Sequence, residues 1–410
     1  MDVVVSLPES VKGASLLITG SKSETNRLLL LRALYPDINI HNASDSDDSR
    51  IMRKALAVSD AVVDVHHAGT AMRFLTAYFA LQEGRQVTLT GSQRMKERPI
   101  GILVDALRNL GAKIDFLEKD GYPPLKITGQ KLGGGSVSID AGVSSQYITA
   151  LLLIAPRMEQ GLELVLKGEI TSRPYIEMTL GLLREAGITI SFRDNVISVA
   201  PYSEIPSLKS EITVESDWSS ASYFYSIVAL ADAGTTITLS SYKQNSLQGD
   251  SALAEIFKEF GVKTKFSSNS IILTKVNCQP STVNYQLNNT PDIAQTIAVT
   301  CLGMRVGCRL TGLHTLKIKE TDRLMALKSE MEKFGAKVTV TDDALELQPP
   351  GEHLASGVTV ETYNDHRMAM AFAPLAVKTR VIIKEAEVVS KSYPGFWDDL
   401  KHIGFEVKSL

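Results

Sequence analysis

The sequence predicts an α/β protein of two domains, each built from three similar repeats. The chain has 410 residues and is 44% hydrophobic, which is more than one hydrophobic core usually serves, so two domains are expected. Two interleaved series of helix signals recur roughly every 74 residues along the chain. Because self-similarity at a fixed period marks repeated structural units, we expect six units, three in each domain.

The first series marks the ends of amphipathic helices that are followed by strands. Each end carries a glycine, which adopts the left-handed conformation after a helix at little cost. The five glycines, at intervals of 76, 74, 74 and 69 residues, are Gly111, Gly187, Gly261, Gly335 and Gly404. Residues 54–65, KALAVSDAVVDV, look like a sixth copy with Ser59 and Asp60 at the helix stop.

The second series marks the starts of helices that are apolar around most of their circumference, such as TALLLIA and IAQTIAVTCL. These starts are Ser21, Gly69, Ser144, Asp217, Thr290 and Asn364. Helices without a polar face are buried inside a domain, whereas TDRLMALKSEMEKF, with a single apolar stripe, belongs on the outside. Short alternating strands such as QVTLTG and LELVLKG lie between the helices. Each domain should therefore surround a bundle of buried helices with sheets and outer helices.

The spacing of the first two starts indicates that the chain crosses between the domains twice. Ser21 and Gly69 are only 48 residues apart, so residues 1–20 are expected to complete the other domain. A second crossing just before Asp217 gives one domain of residues 1–19 plus 217–410. The inserted domain then comprises residues 20–216.

Composition excludes several classes of function. The formal net charge is -3, whereas proteins that bind nucleic acid or anionic membranes are usually strongly basic. The start, MDVVVSLPES, lacks the basic and apolar regions of a signal peptide, and no stretch is apolar enough to span a bilayer. Three cysteines without paired spacing argue against disulfides and zinc. We therefore expect a cytoplasmic monomer without a metal or cofactor.

Basic residues occupy the start of the first apolar helix, where they oppose the helix dipole. Lys22 and Arg27 lie in its first two turns, and Ser21 with Glu24 has the pattern of a capping box. One interpretation is a solvated basic tip. The other is an anion site, formed by these cations together with backbone N–H groups and the hydroxyl of Ser23. Taken alone, this helix start favours neither.

The same position in the other repeats carries polar side chains or a bare backbone. Gly69 would allow a ligand to approach the main chain closely. A single serine or histidine has an ordinary explanation as a cap or a structural hydrogen-bonding group, but the series as a whole is less easily explained in this way. Its polar members are Ser144, Ser145, Gln146, Asp292, Asp365, His366 and Arg367.

Basic residues also recur where a strand leads into an outer helix. They are Arg94, Lys96, Arg98, Arg173, Lys317, Lys319, Arg323 and Lys391. If these places face one cleft, that cleft is strongly cationic inside a slightly acidic protein. Such a cleft suits small substrates that carry several negative charges.

The strings at these positions resemble those of the 5-enolpyruvylshikimate-3-phosphate (EPSP) synthase family over the whole chain. Nine of them occur in the family's order: GSKSETNR, AGTAMR, RMKERPIG, SSQ, SRPY, the proline–aspartate of NNTPD, KETDRL, NDHRMAM and SKSYPGF. The resemblance implies two domains, each an inside-out α/β barrel of three βαβαββ-type repeats, with the active site in the interdomain cleft. It also implies transfer of the enolpyruvyl group of phosphoenolpyruvate to the 5-hydroxyl of shikimate 3-phosphate, a step of the shikimate pathway to chorismate and the aromatic amino acids.

The resemblance implies a role for individual residues. Asp292 would be the proton acceptor, and Glu320 or Lys22 would exchange the proton at the methylene carbon. Shikimate 3-phosphate would be bound by Lys22, Ser23, Arg27, Ser144, Ser145, Gln146, Ser172, Tyr175, Asp292, Thr315 and Lys319. Phosphoenolpyruvate would be bound by Lys22, Gly69, Arg94, Gln146, Arg323, Arg367 and Lys391. No metal is implied.

The chain departs from the family's pattern at three places. His67 stands where asparagine is common, and Phe74 where proline is frequent. Thr315 replaces an asparagine with which some members touch shikimate 3-phosphate. None of these changes replaces a charged residue, so the expected activity is unaffected.

Three other functions compete with this interpretation. A related transferase that acts on UDP-N-acetylglucosamine uses a loop cysteine, but Cys301 lies in an apolar helix, and Cys278 and Cys308 flank strands. An RNA-terminal phosphate cyclase should be more basic and carry a nucleotide-linked histidine motif. A catalytically inactive polyanion-binding protein would not need Asp292, Glu320 and Lys22 together.

Overall fold

A computed structural model describes residues 1–142, 144–170, 172–204, 209–279 and 281–410. Its strands are β1 (Val3–Ser6), β2 (Ala14–Leu16), β3 (Asn39–His41), β4 (Val62–Asp64), β5 (Gln86–Thr90), β6 (Lys113–Phe116), β7 (Leu125–Thr128), β8 (Gly135–Asp140), β9 (Leu162–Lys167), β10 (Ile190–Arg193), β11 (Val196–Val199), β12 (Glu211–Thr213), β13 (Thr236–Ser240), β14 (Val262–Ser267), β15 (Ser270–Lys275), β16 (Val283–Gln286), β17 (Cys308–Thr311), β18 (Lys337–Val340), β19 (Leu345–Gln348), β20 (Val358–Val360), β21 (Val381–Ile383) and β22 (Glu406–Ser409). Its α-helices are α1 (Lys22–Leu34), α2 (Asp47–Ala57), α3 (Gly69–Ala80), α4 (Gln93–Lys96), α5 (Gly101–Asn109), α6 (Ser145–Ile154), α7 (Arg173–Glu185), α8 (Trp218–Leu230), α9 (Leu253–Ile256), α10 (Ala294–Met304), α11 (Arg323–Glu332), α12 (His366–Phe372) and α13 (Phe396–His402).

The chain forms two compact units. One comprises residues 1–19 and 215–410, and the other comprises residues 20–214. The sequence placed the second crossing just before Asp217, whereas the division in the structure falls between Val214 and Glu215.

One strand order recurs in both units. In the sheet β4-β5-β7-β6, the first two strands are parallel and the remaining neighbours are antiparallel. The same order is found in the sheets β8-β9-β11-β10, β16-β17-β19-β18, β2-β13-β15-β14 and β20-β21-β1-β22. With a helix after each of the first two strands, this is the expected βαβαββ repeat, and the predicted α/β fold class is confirmed.

The first two strands of the chain belong to sheets of the unit that contains residues 215–410. β1 pairs antiparallel with both β21 and β22, and β2 runs parallel to β13. In these two sheets, β1 and β2 occupy positions that, in the other repeats, belong to strands from the same stretch of the sequence as the rest of the sheet.

The remaining repeat is incomplete, although the helix end, the stop and the strand predicted for it are present. Its sheet contains only β12 and β3 among the described residues. Residues 54–65 were expected to be a sixth helix–stop–strand copy, and α2 does end at Ala57. The strand that follows, β4, pairs in parallel with β5 and therefore belongs to the sheet of the next repeat. No second strand that could form a hairpin with β4 lies in the described residues between β4 and α3.

The helices follow the predicted division into buried and half-buried types. All side chains of α8 are buried except Ser219, and all residues of α3 except Thr70. The five glycines predicted to stop helices all have positive φ angles, between 74° and 104°. No helix in the described part of the chain combines the length and the apolar character that crossing a membrane requires.

Two predicted helix starts are shifted in the structure. A 3₁₀ turn, Pro291–Ile293, follows Thr290, so α10 begins only at Ala294. The cap of α12 is Asp365, not Asn364, because Asn364 has a left-handed backbone with φ of 57°. The Asp365 carboxylate instead accepts a hydrogen bond from the backbone N–H of Arg367 at 2.9 Å.

Candidate active site

The site residues expected from the sequence fall into two sets, one in each unit. The N-terminal set lies in residues 20–214 and comprises Lys22, Ser23, Arg27, Gly69, Arg94, Ser144, Ser145, Gln146, Ser172 and Tyr175. The C-terminal set lies in residues 215–410 and comprises Asp292, Thr315, Lys319, Glu320, Arg323, Arg367 and Lys391.

Arg27 links three helices of the N-terminal set. Its guanidinium is 3% exposed and donates to the hydroxyl of Thr179 at 2.8 Å and to the carbonyls of Ser23 and Tyr175 at 2.7 and 3.2 Å. Burial lowers the pKa of Arg27 to about 10. The ring of Phe74 is itself wholly buried and lies 5.7 Å from the guanidinium carbon. Arg27 is therefore a buried, fixed cation whose contacts in the described residues are neutral groups.

Lys22 lies at the start of the same helix, α1, and is accompanied by a carboxylate. Its Nζ is 3.5 Å from Asp48 Oδ2, and Asp48 Oδ1 is 3.5 Å from the Nε2 of His67. Thus His67, which stands where asparagine is common in the family, contacts the same carboxylate, that of Asp48, as Lys22 does. Asp48 was not singled out from the sequence, because an acidic residue in the first turn of a helix is ordinary.

The start of α3 is packed against an arginine. A Cβ atom at Gly69 would lie 2.5 Å from Arg98 Nη1, so a side chain there would displace this guanidinium. Arg73, 4% exposed, donates to the carbonyls of Gly69 and Pro99 at 3.3 and 3.0 Å. Burial, with Arg98 as the next cause, lowers the pKa of Arg73 to about 10. Among the described residues, neither arginine forms an ion pair with a carboxylate, which leaves positive charge at this helix start.

The uncharged donors lie at the starts of α6 and α7. Ser144 caps α6 by accepting from the N–H of Gln146 at 3.3 Å, and the amide of Gln146 donates to Thr70 at 3.3 Å. Ser172 precedes α7 in a left-handed conformation, with φ of 53°. A non-glycine residue in this conformation costs of order 1–3 kcal/mol and is often found at functional sites.

Arg94 is the most accessible cation of the N-terminal set. It lies in the short helix α4, which Ser92 caps. Its side chain is 48% exposed and is 3.3 Å from the carboxylate of Glu97. An exposed ion pair of this kind contributes little to stability, so the guanidinium can be redirected to a ligand at small cost.

The C-terminal set is organised around Asp292. Oδ1 of Asp292 lies 3.1 Å from Arg323 Nη1 and 3.6 Å from Lys319 Nζ. Its Oδ2 lies 3.3 Å from Arg367 Nη2, and Nη1 of the same arginine donates to the Asp292 carbonyl at 3.0 Å. Three cations from two strings of the sequence, KETDRL and NDHRMAM, therefore converge on one carboxylate.

Arg323 is the most deeply buried of these cations, at 2% exposure. Its Nε donates to Asp365 Oδ2 at 2.7 Å, and its Nη2 donates to Glu320 Oε2 at 2.8 Å. Burial lowers the pKa of Arg323, but the carboxylates of Asp365, Glu320 and Asp292 outweigh it and raise that pKa above its usual value. Burial lowers the pKa of the neighbouring Lys319, and Asp292 opposes this change.

The remaining members of the C-terminal set have distinct surroundings. Lys391 is buried and donates to the carbonyl and the side-chain oxygen of Asn364 at 2.6 and 2.7 Å. These contacts explain why Asn364 is not the cap of α12. The hydroxyl of Thr315, which stands where some members of the family have asparagine, is buried and has no hydrogen-bond partner among the described residues.

The comparisons with known proteins agree with one another. The sequence model of the family described as EPSP synthase (3-phosphoshikimate 1-carboxyvinyltransferase) matches residues 53–400. A 3-phosphoshikimate 1-carboxyvinyltransferase of Bacteroides fragilis is 45% identical over 415 residues, which cover 100% of this chain and 99% of the relative. A 3-phosphoshikimate 1-carboxyvinyltransferase of Photobacterium profundum is 36% identical, and the match covers 98% of this chain and 99% of the relative. In structure, the chain is similar to an EPSP synthase from Acinetobacter baumannii, with a TM-score of 0.80, 21% identity and 100% of both chains covered.

Proposed function

This chain belongs to the EPSP synthase family, and on that premise we propose that it transfers the enolpyruvyl group of phosphoenolpyruvate to the 5-hydroxyl of shikimate 3-phosphate. The 5-hydroxyl oxygen bonds to C2 of phosphoenolpyruvate while C3 takes up a proton, giving a tetrahedral adduct. Phosphate then leaves from C2 as C3 returns the proton.

The observation that supports the proposal best is the convergence of Lys319, Arg323 and Arg367 on Asp292. A carboxylate that must accept a proton from a hydroxyl is a weak base while three cations surround it. An incoming carboxylate or phosphate would compete for the two guanidinium groups, because bidentate binding of such anions suits arginine. Binding of phosphoenolpyruvate would thus free Asp292 to act as the base, so the two events would be coupled.

The other proposed roles follow the same chemistry. Glu320, whose Oε2 lies 2.8 Å from Arg323 Nη2, exchanges the proton at C3, with Lys22 as the other candidate. Arg27 and the uncharged donors at the starts of α6 and α7 hold shikimate 3-phosphate. Orientation and charge neutralisation provide most of the acceleration, since two polyanions must be brought together.

The decisive experiment is an assay of phosphate release with phosphoenolpyruvate, run with and without shikimate 3-phosphate and followed by mass spectrometry of the product. We expect release that depends on shikimate 3-phosphate and a product that carries the added enolpyruvyl group. Release without that acceptor, or with UDP-N-acetylglucosamine in its place, would refute the proposal.

Variants separate the base from the binding groups. Asp292→Asn should lower kcat by roughly 10²–10⁴-fold, the usual contribution of a general base, while both ligands still bind. Asp232→Asn is the matched control, because Asp232 is exposed and lies in a turn of the same unit. Normal turnover by Asp292→Asn would remove Asp292 from the chemistry.

The cellular setting is a further part of the proposal. We propose that the protein acts in the cytoplasm as a monomer, without metal, nucleic-acid or membrane partners. Sedimentation at assay concentration and turnover after dialysis against a chelator test the monomeric state and the independence from metal.

A further inference from the structure

A buried carboxyl group outside the expected site lies behind the C-terminal set. Asp250 belongs to a 3₁₀ turn, Gly249–Ala252, and is 5% exposed. One of its oxygens, Oδ2, accepts a hydrogen bond from the hydroxyl of Ser219. The other, Oδ1, has no hydrogen-bond partner among the described residues. A buried polar atom left in this way is costly, so its retention calls for an explanation.

Ser219 connects Asp250 to the expected site. Its hydroxyl oxygen accepts a hydrogen bond from Arg367 Nη2 at 3.2 Å. The same Nη2 lies 3.3 Å from Asp292 Oδ2. Because the hydroxyl proton of Ser219 is directed to Asp250, its lone pairs face the guanidinium. The contacts therefore run in series from Asp250 through Ser219 and Arg367 to Asp292.

Asp250 and Ser219 are held at the same helix start. Ser219 lies in the first turn of α8, which Asp217 caps. The side chain of Gln248 accepts from the backbone N–H of Trp218 and donates to the carbonyl of Ser216, both at 2.9 Å. These contacts fix the turn that carries Asp250 relative to α8. Rigid support of this kind keeps a binding side chain in one orientation.

The charged groups around Asp292 are already balanced without the carboxyl group of Asp250. Three cations, Lys319, Arg323 and Arg367, are matched by three carboxylates, Asp292, Glu320 and Asp365. An ionised Asp250 would leave one negative charge in excess (3 − 4 = −1). Burial, followed by the charge of Asp292, raises the pKa of Asp250 to about 7, and Arg367 opposes this.

We propose that Asp250 is a positioning residue that, through Ser219, holds the guanidinium of Arg367 in the orientation that receives the carboxylate of phosphoenolpyruvate. Without this series of contacts, Arg367 keeps its contacts with the carboxylate and the carbonyl of Asp292 and turns toward them. The inference rests on the proposed function, because it takes Arg367 as a ligand of phosphoenolpyruvate. It predicts a defect in the use of one substrate only.

The test compares the steady-state kinetics of Asp250→Ala, Ser219→Ala and Asp250→Asn. We expect the first two to raise KM for phosphoenolpyruvate about tenfold, the change that corresponds to roughly 1.4 kcal/mol. KM for shikimate 3-phosphate should stay within about twofold. The double variant Asp250→Ala/Ser219→Ala should be no worse than either single variant, because both break one series of contacts. Asp250→Asn keeps an oxygen acceptor for Ser219 and should restore KM to within about threefold of the wild type.

Two reference variants separate failure of this inference from failure of the proposed function. Asp232→Ala removes an exposed carboxylate of the same unit and should behave as the wild type. If Arg367→Ala leaves KM for phosphoenolpyruvate unchanged, the assignment of Arg367 is wrong, and the inference falls with it. If Arg367→Ala raises that KM but Ser219→Ala does not, only the role of Asp250 is overturned. Equal losses for both substrates in Asp250→Ala would likewise overturn it, since they indicate a general structural defect.

Discussion

Replacing Arg323 by glutamine should affect stability and ligand selectivity in separable ways. The guanidinium is 2% exposed and contacts three carboxylates. Asp292 would keep Lys319 and Arg367 as partners, and Glu320 is 22% exposed and can turn to water. The cost of the substitution therefore falls mainly on the third carboxylate.

That carboxylate, Asp365, has no exposed surface. It would lose its 2.7 Å contact with Arg323 and keep the N–H of Arg367. Removing one partner of a buried ion pair typically costs about 3–5 kcal/mol, so we expect Arg323→Gln to destabilise its unit by that amount. Adding Asp365→Asn removes the uncompensated charge and should recover at least about 1 kcal/mol.

The same variant should bind phosphoenolpyruvate about 10²-fold more weakly. Each charge-assisted hydrogen bond contributes roughly 1.5–3 kcal/mol, and a bidentate carboxylate contact would be lost. Binding of shikimate 3-phosphate should change by less than about fivefold, because most of its proposed ligands lie in the N-terminal set. Calorimetry with each ligand measures the two affinities.

The chain offers a selective probe for the stability measurement. Its two tryptophans, Trp218 and Trp397, both belong to the unit that contains Arg323. Urea unfolding followed by tryptophan fluorescence therefore reports on that unit. Arg309→Gln is the matched control, since Arg309 is exposed on β17 of the same unit. Equal weakening of both ligands, or no recovery with Asp365→Asn, would refute this reasoning.

Three further predictions concern single charges. Lys22→Ala should abolish most activity but leave the circular dichroism spectrum and the urea midpoint at their wild-type values, because only Asp48 is close to the ammonium group of Lys22 in the ion pairs described. Wild-type turnover in the folded variant would exclude Lys22 from the site. Arg27→Lys should raise KM for shikimate 3-phosphate at least about tenfold, since lysine cannot reproduce contacts made by Nε, Nη1 and Nη2 together; an unchanged KM would contradict the assignment. Burial, followed by the charges of Asp292 and Asp217, raises the pKa of Asp250 from 3.8 to about 7, while Arg367 and Ser219 oppose this change. Between these two pKa values the carboxyl of Asp250 holds a proton in the native state that it has lost in the unfolded state. The free energy of unfolding therefore falls as the pH rises through this range. Asp250→Asn should flatten this slope by up to a few kcal/mol between about pH 5 and about pH 8 in urea titrations, and an unaltered slope would disprove it.

Local features of the fold could be predicted from the sequence, because they depend on neighbouring residues. A glycine after a helix needs no distant partner to adopt its conformation, and the glycines predicted to stop helices have positive φ angles. A helix without any charged residue, such as α8, is buried whichever sheet it packs against. At residues 54–65 the helix end and the strand could be predicted, but the sheet that β4 joins could not, because pairing with a distant strand leaves no local signal.

The candidate site shows the same limit. The basic residues stood out because their charge recurs at one place in the repeat. Asp48 and Asp250 gave no such signal, since acidic residues in the first turn of a helix are ordinary. Their importance depends on contacts with Lys22 and with Ser219, and the second of these spans 31 positions of the chain. Partners of this kind are visible only once the helix starts have been brought together.

The buried arginines of the two units differ in how their charge is neutralised. In the N-terminal set and its surroundings, Arg27 and Arg73 are buried against hydroxyls and carbonyls, without an ion pair to a carboxylate in the described residues. Such cations retain their full attraction for an anion and suit a ligand whose charge does not change.

In the C-terminal set, each of the clustered cations is shared with carboxylates. Arg323 alone contacts three of them, so an anion that recruits it must loosen Asp292 or Glu320 at the same time. The arrangement therefore couples the binding of an anion to the proton affinity of the two groups proposed to move protons. This division of labour predicts that neutralising Arg27 raises KM, whereas neutralising Arg323 or Arg367 also lowers kcat and alters its pH dependence.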